Sequence, residues 1–527
     1  METKRTQKAA KNALFGVISY LVLTVSTLIT RWVFVAQFDQ LGDKLGTELS
    51  GVESLFKAVI SMLALAELGM GTGLVYLLYK PIATGDRDAV RRVLTFYKRA
   101  YQVVAGVILA IGGGMCFFIR FFAADTRLSA LYLGAAFFLY MLDTLASYLF
   151  AHQRAMMVAD QKNYLNNVNE VIMNFLTMLI QVAALLWLPG SIQLRFAVYI
   201  LIRVACRVAA ALLIHRNFVR LYPDLAADPG KESLDPETRR GVFKTLYAML
   251  FHKVGGVANH KAAILIISRV IGTVVNGMYS YYLIITDAVT ALVTQIFSGI
   301  TASFGDYLTG GDLEAAHQKF RVLYYLNFVI SSTCATAIWL LIQPFIGLWM
   351  GKENLLSGWV ALLVAAYFYC YSLRRVIFLV RDSTGLYRPD RYLPLVEMAL
   401  NVGLGLVGAL LTGKVEYVLL GNLISMAAVP LWVQPVVVYR HVFRRSPGWY
   451  FARYGLYGLL TAGGMAAGWW ICGRLPAMHP ILELAVRAGI SLILSAAVCL
   501  LPFCRTEEFR YLKQLAVSFL HKRRKTS

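Results

Sequence analysis

Long apolar runs dominate the chain, and charge falls in short clusters between them. About 20 consecutive apolar residues suffice for a helix to cross the hydrocarbon core of a bilayer. The pattern predicts fourteen spans, at residues 12–36, 52–78, 101–122, 129–150, 166–188, 193–214, 248–270, 276–304, 324–345, 358–380, 392–412, 416–438, 452–472 and 482–503. The seventh is the most polar, because it holds His252, Lys253, His260, Lys261 and Arg269. No segment alternates with period two over about ten residues, which argues against an outer-membrane barrel. The run 12–36 is longer than the core of a signal peptide and has no clear small-residue cleavage site, so it reads as a retained first span. The expected fold class is an all-α integral membrane protein of about fourteen transmembrane helices.

Composition agrees. Of 527 residues 58% are apolar and 15% are charged, and the mean hydropathy is +0.61; a soluble domain is nearer 45–50% apolar. The net charge of +22 would suit a nucleic-acid partner, but its distribution does not. Lys and Arg concentrate in 80–99, 216–253, 374–391, 440–453 and 505–525, the connections of alternate spans. By the positive-inside rule both termini are then cytoplasmic. The cysteines at 116, 206, 334, 370, 472, 499 and 504 form no CxxC and lie in or beside apolar runs, as small apolar side chains in packed helices do.

The longest polar stretch, 215–247, reads as a cytoplasmic linker between two halves. Glu170-Val-Ile-Met-Asn174 recurs 227 residues later as Glu397-Met-Ala-Leu-Asn401, and Gly85-Asp86 recurs as Gly311-Asp312 at an offset of 226. Two matches at nearly one offset suggest related halves. The expected organisation is an N-terminal lobe 1–214 with spans one to six, the linker 215–247, a C-terminal lobe 248–445 with spans seven to twelve, two extra spans within 446–504, and a basic tail 505–527. In that tail Phe509, Leu512, Leu515 and Phe519 share one helical face, suited to the inner membrane surface.

Enzyme and pump signatures are missing: the chain has no GxxxxGKS/T and no HExxH. Asp86-Arg-Asp88 has the spacing of a metal-dependent sugar transferase but reads as a helix start, where acidic residues suit the dipole. The informative residues are ionisable groups inside spans, which are costly and usually face a cavity. Arg31, His260 and Lys261 are expected to do so. Arg203, Arg207, Lys253, Arg375 and Arg381 lie near span ends and are expected to snorkel to the interface. Glu67, Asp287 and His252 are candidates for ion pairing or coupling. Gly69, Gly71 and Gly73 suit a bend or close helix packing in span two. Cations exceed anions in this set, so some buried positive charge calls for an anion or water.

The residues that carry a family likeness are Arg31, LGTELSGVESLF (45–56), LAELGMGTG (65–73) and LYKP (78–81), followed in the second half by NHK (259–261), IIS (266–268), GMYSYY (277–282) and SFG (303–305). Together they resemble the bacterial polysaccharide transporters, the lipid-linked oligosaccharide flippases for O-antigen, capsule and exopolysaccharide, within the multidrug/oligosaccharidyl-lipid/polysaccharide (MOP) exporter superfamily. The resemblance implies two pseudo-symmetric six-helix lobes around a central cavity, with two extra C-terminal helices. It implies a transporter rather than an enzyme, with no cofactor and no metal. Its substrate would be undecaprenyl pyrophosphate bearing a short glycan, and its partners membrane lipids and the glycosyltransferases and polymerase of one pathway, with no nucleic acid. Arg31, His260, Lys261 and Arg374 would contact the pyrophosphate. Related sequences often carry an acidic residue near Ala263; here that position is apolar, so coupling would fall to Glu67 or Asp287. The rivals are a lipid II flippase of the same fold, a cation-coupled drug exporter, and, from another class, a sugar polymerase or ligase or a non-transporting scaffold. The expected outer loops are too short for a catalytic domain, and a basic interior suits cationic drugs poorly.

Overall fold

The computed structural model describes residues 2–67, 70–227, 234–309, 313–387 and 389–514. Among them the chain is helical throughout, with no strand. In order the helices are α1 (Glu2–Asp39), α2 (Leu45–Leu63), α3 (Met70–Thr84), α4 (Arg87–Phe122), α5 (Ala130–Tyr148), α6 (Ala151–Ala159), α7 (Asn163–Trp187), α8 (Ile192–Leu221), α9 (Pro223–Ala227) and α10 (Pro236–Ile266). There follow α11 (Thr273–Thr309), α12 (Leu313–Met350), α13 (Gly358–Leu373), α14 (Arg375–Thr384), α15 (Leu393–Thr412), α16 (Val415–Ala428), α17 (Pro430–Val438), α18 (Gly448–Cys472) and α19 (Pro480–Leu500).

Every predicted span falls on one of these helices or on a broken pair. Twelve are long and apolar enough to cross a membrane by length and composition. The other two are the second span, divided between α2 and α3, and α18, which is rich in Gly, Tyr and Trp. Large apolar side chains such as Phe117, Leu131, Trp187, Leu411, Leu459 and Ile493 stand exposed on helix faces. In water that would be a liability, but it suits lipid, where helices satisfy their backbone internally. The chain is a multi-pass membrane protein.

Local chemistry sets the ends and breaks. Asp86 caps α4 by accepting from the Ala89 N–H at 2.9 Å, so Asp86-Arg-Asp88 is a helix start. Ser129 and Ser191 cap α5 and α8 in the same way. Asp235, before Pro236, caps α10 through the Thr238 N–H at 2.8 Å. A 3-10 turn, Ala64–Glu67, ends α2. Span twelve breaks before Pro430, which opens α17 and leaves Val429 outside regular helix.

The chain forms two compact units, Met1–Ser280 with Arg391–Lys414, and Tyr281–Asp390 with Val415–Ser527. In the first, α1 packs along α7, α4 on α5, α5 on α8, and α10 along α15 and α2. In the second, α12 packs on α13, α18 and α19, and α13 on α16. Three pairings recur six spans apart: first with fifth and seventh with eleventh, third with fourth and ninth with tenth, fourth with sixth and tenth with twelfth. In the first unit α2 and the start of α11 cross almost backbone to backbone. A Cβ on Gly51 would overlap the Thr273 carbonyl, one on Gly277 would overlap that of Thr47, and Asn276 Nδ2 donates to the Gly51 carbonyl at 2.9 Å.

The second unit is built around aromatic rings. Phe328 and Tyr457 stack at 3.9 Å between centroids, and Tyr324 packs on Tyr450 at 4.8 Å. Tyr325 OH donates to the Cys499 carbonyl at 2.8 Å, fastening α12 to α19. The chain is again helical over residues 507–514, where buried Glu508 accepts from Arg321 of α12 at 2.6 Å. Phe509 and Leu512 are half-buried there; Leu515 and Phe519 lie outside the described residues.

Candidate anion-binding cavity

Within the first unit α1, α2, α7 and α8 enclose a cavity of about 280 Å³. Its walls carry Arg31 from α1, Glu53 and Lys57 from α2, Asn174, Thr177 and Gln181 from α7, and Arg203 and Arg207 from α8. Arg31 stands eight residues before the end of α1, about 12 Å along the axis at 1.5 Å per residue. That is well inside a bilayer of about 30 Å.

Glu53 is the hub. Its Oε2 meets Arg31 Nη2 at 2.6 Å. Its Oε1 meets Lys57 Nζ, one turn along α2, at 2.8 Å, accepts from Tyr140 OH of α5 at 2.8 Å, and faces Arg203 Nη1 at 3.5 Å. Arg31 also donates through Nη1 to Ser50 Oγ at 2.8 Å, and Ser50 in turn donates to the Gly46 carbonyl. A second carboxylate, Asp143 of α5, accepts from Arg203 Nε at 2.9 Å and from Arg207 Nε at 3.1 Å. The Arg203 guanidinium lies over the Tyr140 ring at 4.7 Å and donates to its hydroxyl.

The arrangement is lopsided in depth and in charge. The carboxylates are at the back, with side chains 1% exposed for Glu53 and 6% for Asp143. Three of the cations reach forward, at 25% for Arg203, 33% for Arg207 and 42% for Lys57. Four cations (Arg31, Lys57, Arg203 and Arg207) face two carboxylates, an excess of two positive charges. Such a pocket repels cations and attracts a dianion. Guanidinium forks suit phosphate oxygens, and Asn174, Thr177 and Gln181 add neutral partners.

No protein-family model and no curated protein matches this sequence. Solved structures do match. The lipid II flippase MurJ in an inward closed conformation superposes with a TM-score of 0.63 over 92% of this chain and 99% of that one, at 11% identity. A multidrug resistance MATE family transporter of the MOP superfamily, in an inward-facing conformation, gives 0.55 over 80% and 98%, at 13% identity. A MATE in a bent conformation gives 0.54 over 82% and 96%, at 12% identity. The fold is that of the MurJ and MATE transporters. At these identities the likeness is one of fold.

On this fold the residues singled out in the sequence belong to several helices of the two units. Arg31 lines the cavity. His260 is exposed and Lys261 half-buried on α10, and neither is among the residues lining the cavity. Arg374 belongs to the second unit, at the break between α13 and α14, where it is buried, donates to Gln434 Oε1 at 2.9 Å and lies over Phe378. Asp287 is exposed on α11. Glu67 ends the 3-10 turn after α2 and lines a separate cavity of about 540 Å³. Gly71 and Gly73 lie in the first turn of α3; Gly69 and the side chain of His252 lie outside the described residues.

Arg203 and Arg207 depart from expectation. Asp143 on the neighbouring helix holds both. Glu53, Lys57 and Asp143 escape the sequence reading. The first two resemble a solvated i,i+4 pair at the start of a span, and Asp143 is one acid in a long apolar run. The available signal was their position: each lies inside an apolar run, and Glu53 and Lys57 lie in or beside the stretch 45–56 that carries the family likeness.

Proposed function

We propose that this protein flips polyprenyl-pyrophosphate-linked oligosaccharide, with undecaprenyl as the lipid, from the inner to the outer leaflet of the bacterial cytoplasmic membrane by alternating access, for polysaccharide export. One observation carries the reading: at membrane depth, four cations against two carboxylates leave an excess of two positive charges, matching the two negative charges of a diphosphate diester. The fold supports it, and so does the motif run from Arg31 to LYKP. With the cytoplasm negative, each full cycle that carries those two negative charges outward is favoured by about 4–5 kcal/mol per 100 mV. The glycosyltransferases and polymerase of the pathway would be its partners.

The test is reconstitution. Purified protein in liposomes should move a fluorescent polyprenyl-diphosphate oligosaccharide between leaflets, and Lys57→Ala should slow it. Failure of the wild-type protein to move any lipid-linked sugar retires the proposal. A second reading, a lipid II flippase, is favoured by the superposition on MurJ and shares the diphosphate. Rescue of a strain depleted of its lipid II flippase would select it. A cation-coupled drug exporter fits less well, since the cavity repels cations.

A further inference from the structure

The second cavity of the first unit is chemically unlike the first. It lies beside Glu67, fourteen residues after Glu53 along α2 and its 3-10 extension, about 20 Å away by helical rise. Glu67 Oε1 accepts from Tyr101 OH at 2.5 Å, and Oε2 from Tyr148 OH at 3.5 Å. The Tyr101 ring lies 5.4 Å from that of Tyr148, and Tyr79 is half-exposed. Arg154 also lines the cavity and is held by Glu170 through Nη1 at 3.3 Å.

Charge decides what such a pocket can take. The lining carries one carboxylate, Glu67, and one guanidinium, Arg154, with Glu170 paired behind it, so it has no positive surplus to hold a phosphate. Arg154 opposes a bare cation, and Glu67 opposes a phosphate. A carboxylate offers about four acceptor positions and a guanidinium five donors, more than the hydrogen bonds named above use. Acceptors, donors and phenol rings in about 540 Å³ suit a neutral, hydroxyl-rich ligand whose hydroxyls both donate and accept and whose C–H faces pack on rings. We propose that this cavity is a carbohydrate subsite that receives the distal sugars of the lipid-linked glycan while the diphosphate occupies the Arg31–Glu53 cavity. The assignment rests on the flippase reading above. It adds that the protein selects glycan length, since a single sugar on a diphosphate at Glu53 falls short of Glu67.

The test compares two lipids in the same liposomes: polyprenyl diphosphate bearing one N-acetylhexosamine, and the same lipid bearing a tetrasaccharide. Glu67→Gln and Tyr101→Phe, both near-isosteric, should lower the ratio of tetrasaccharide to monosaccharide transport about tenfold, the worth of one hydrogen bond to a charged group. Arg31→Ala should lower both rates and leave the ratio. Saturation-transfer NMR with free chitotetraose and maltotetraose should show binding to the wild-type protein that both pocket variants weaken. A ratio unchanged in both folded variants overturns the proposal, as does absence of tetrasaccharide binding to the wild-type protein. Equal loss of both lipids in the pocket variants overturns it in favour of a coupling carboxylate. If the wild-type protein binds tetrasaccharide at Glu67 yet flips no diphosphate lipid, the subsite stands and the flippase reading falls.

Discussion

Arg31 and Glu53 meet at 2.6 Å, and both are almost wholly buried. Isolated, such a pair is poor evidence for stability, because desolvating two charges offsets their attraction. Here Glu53 also holds Lys57 and Arg203, so one carboxylate fixes three cations from three helices. It gathers three cations at one point of the cavity wall.

Arg31→Ala removes one of three cationic partners of a buried carboxylate. The protein should still accumulate in the membrane, because Lys57 and Arg203 remain, but with a lower melting temperature than Lys57→Ala. Glu53→Ala added to Arg31→Ala should recover part of that loss. Thermal unfolding in detergent measures both. If the double variant is less stable than either single one, Glu53 has a role beyond pairing.

Lys57→Ala deletes the most exposed cation of the cavity while Glu53 keeps two cationic partners. Diphosphate binding should weaken by about 10–100-fold, the worth of a hydrogen bond to a charged group. Unaltered flipping with normal protein levels would separate the cavity from transport.

The sign of the cavity can be read directly. With Thr177→Cys as the sole cysteine, an anionic methanethiosulfonate reagent should react faster than a cationic one of similar size, and inorganic pyrophosphate should slow it. A faster cationic reagent would contradict the charge count.

The crossing of α2 and α11 leaves no room for side chains. Gly51→Val and Gly277→Val should each cost at least about 1–3 kcal/mol through overpacking, read as lost accumulation and a lowered melting temperature. Gly256→Ala, where a Cβ meets nothing within 4 Å, is the tolerant comparison.

Glu508 ties the chain beyond α19 to Arg321. Burial alone would raise its carboxyl, but its backbone hydrogen bond and Arg321 outweigh this and hold it below the ordinary range. A lowered folded value gives a contribution that is full above the ordinary carboxylate range and fades as pH falls through the lowered value. Protection from hydrogen exchange in residues 505–514, relative to the intrinsic rate at each pH, should therefore fall on acidification, and Glu508→Gln should show the lower protection at neutral pH.

The span pattern was legible because each helix must bury its backbone polarity in lipid, which demands long apolar runs whatever the tertiary structure. The repeat at 170–174 and 397–401 was also informative. Asn174 lines the cavity on α7, and Asn401 binds Asn259 across the α15–α10 contact. The site was legible only in part. Arg31 is conspicuous as a lone charge, whereas Glu53 and Asp143 gain meaning only when α1, α2, α5 and α8 converge. Charge balance is a property of packing, and spacing along one helix does not disclose it. Snorkelling is the natural expectation for Arg203 and Arg207 until Asp143 is seen beside them.

The placing of the carboxylates behind the cations bears on where voltage acts. On the flippase proposal, a pocket loaded with a doubly charged lipid headgroup would be near electroneutral, so outward reorientation would feel little of the field. Emptied, it would carry its two surplus charges back toward a negative cytoplasm, a movement that the field would assist. Polarisation would then speed the reset stroke and hardly touch loading, and turnover would be electrogenic on the empty limb.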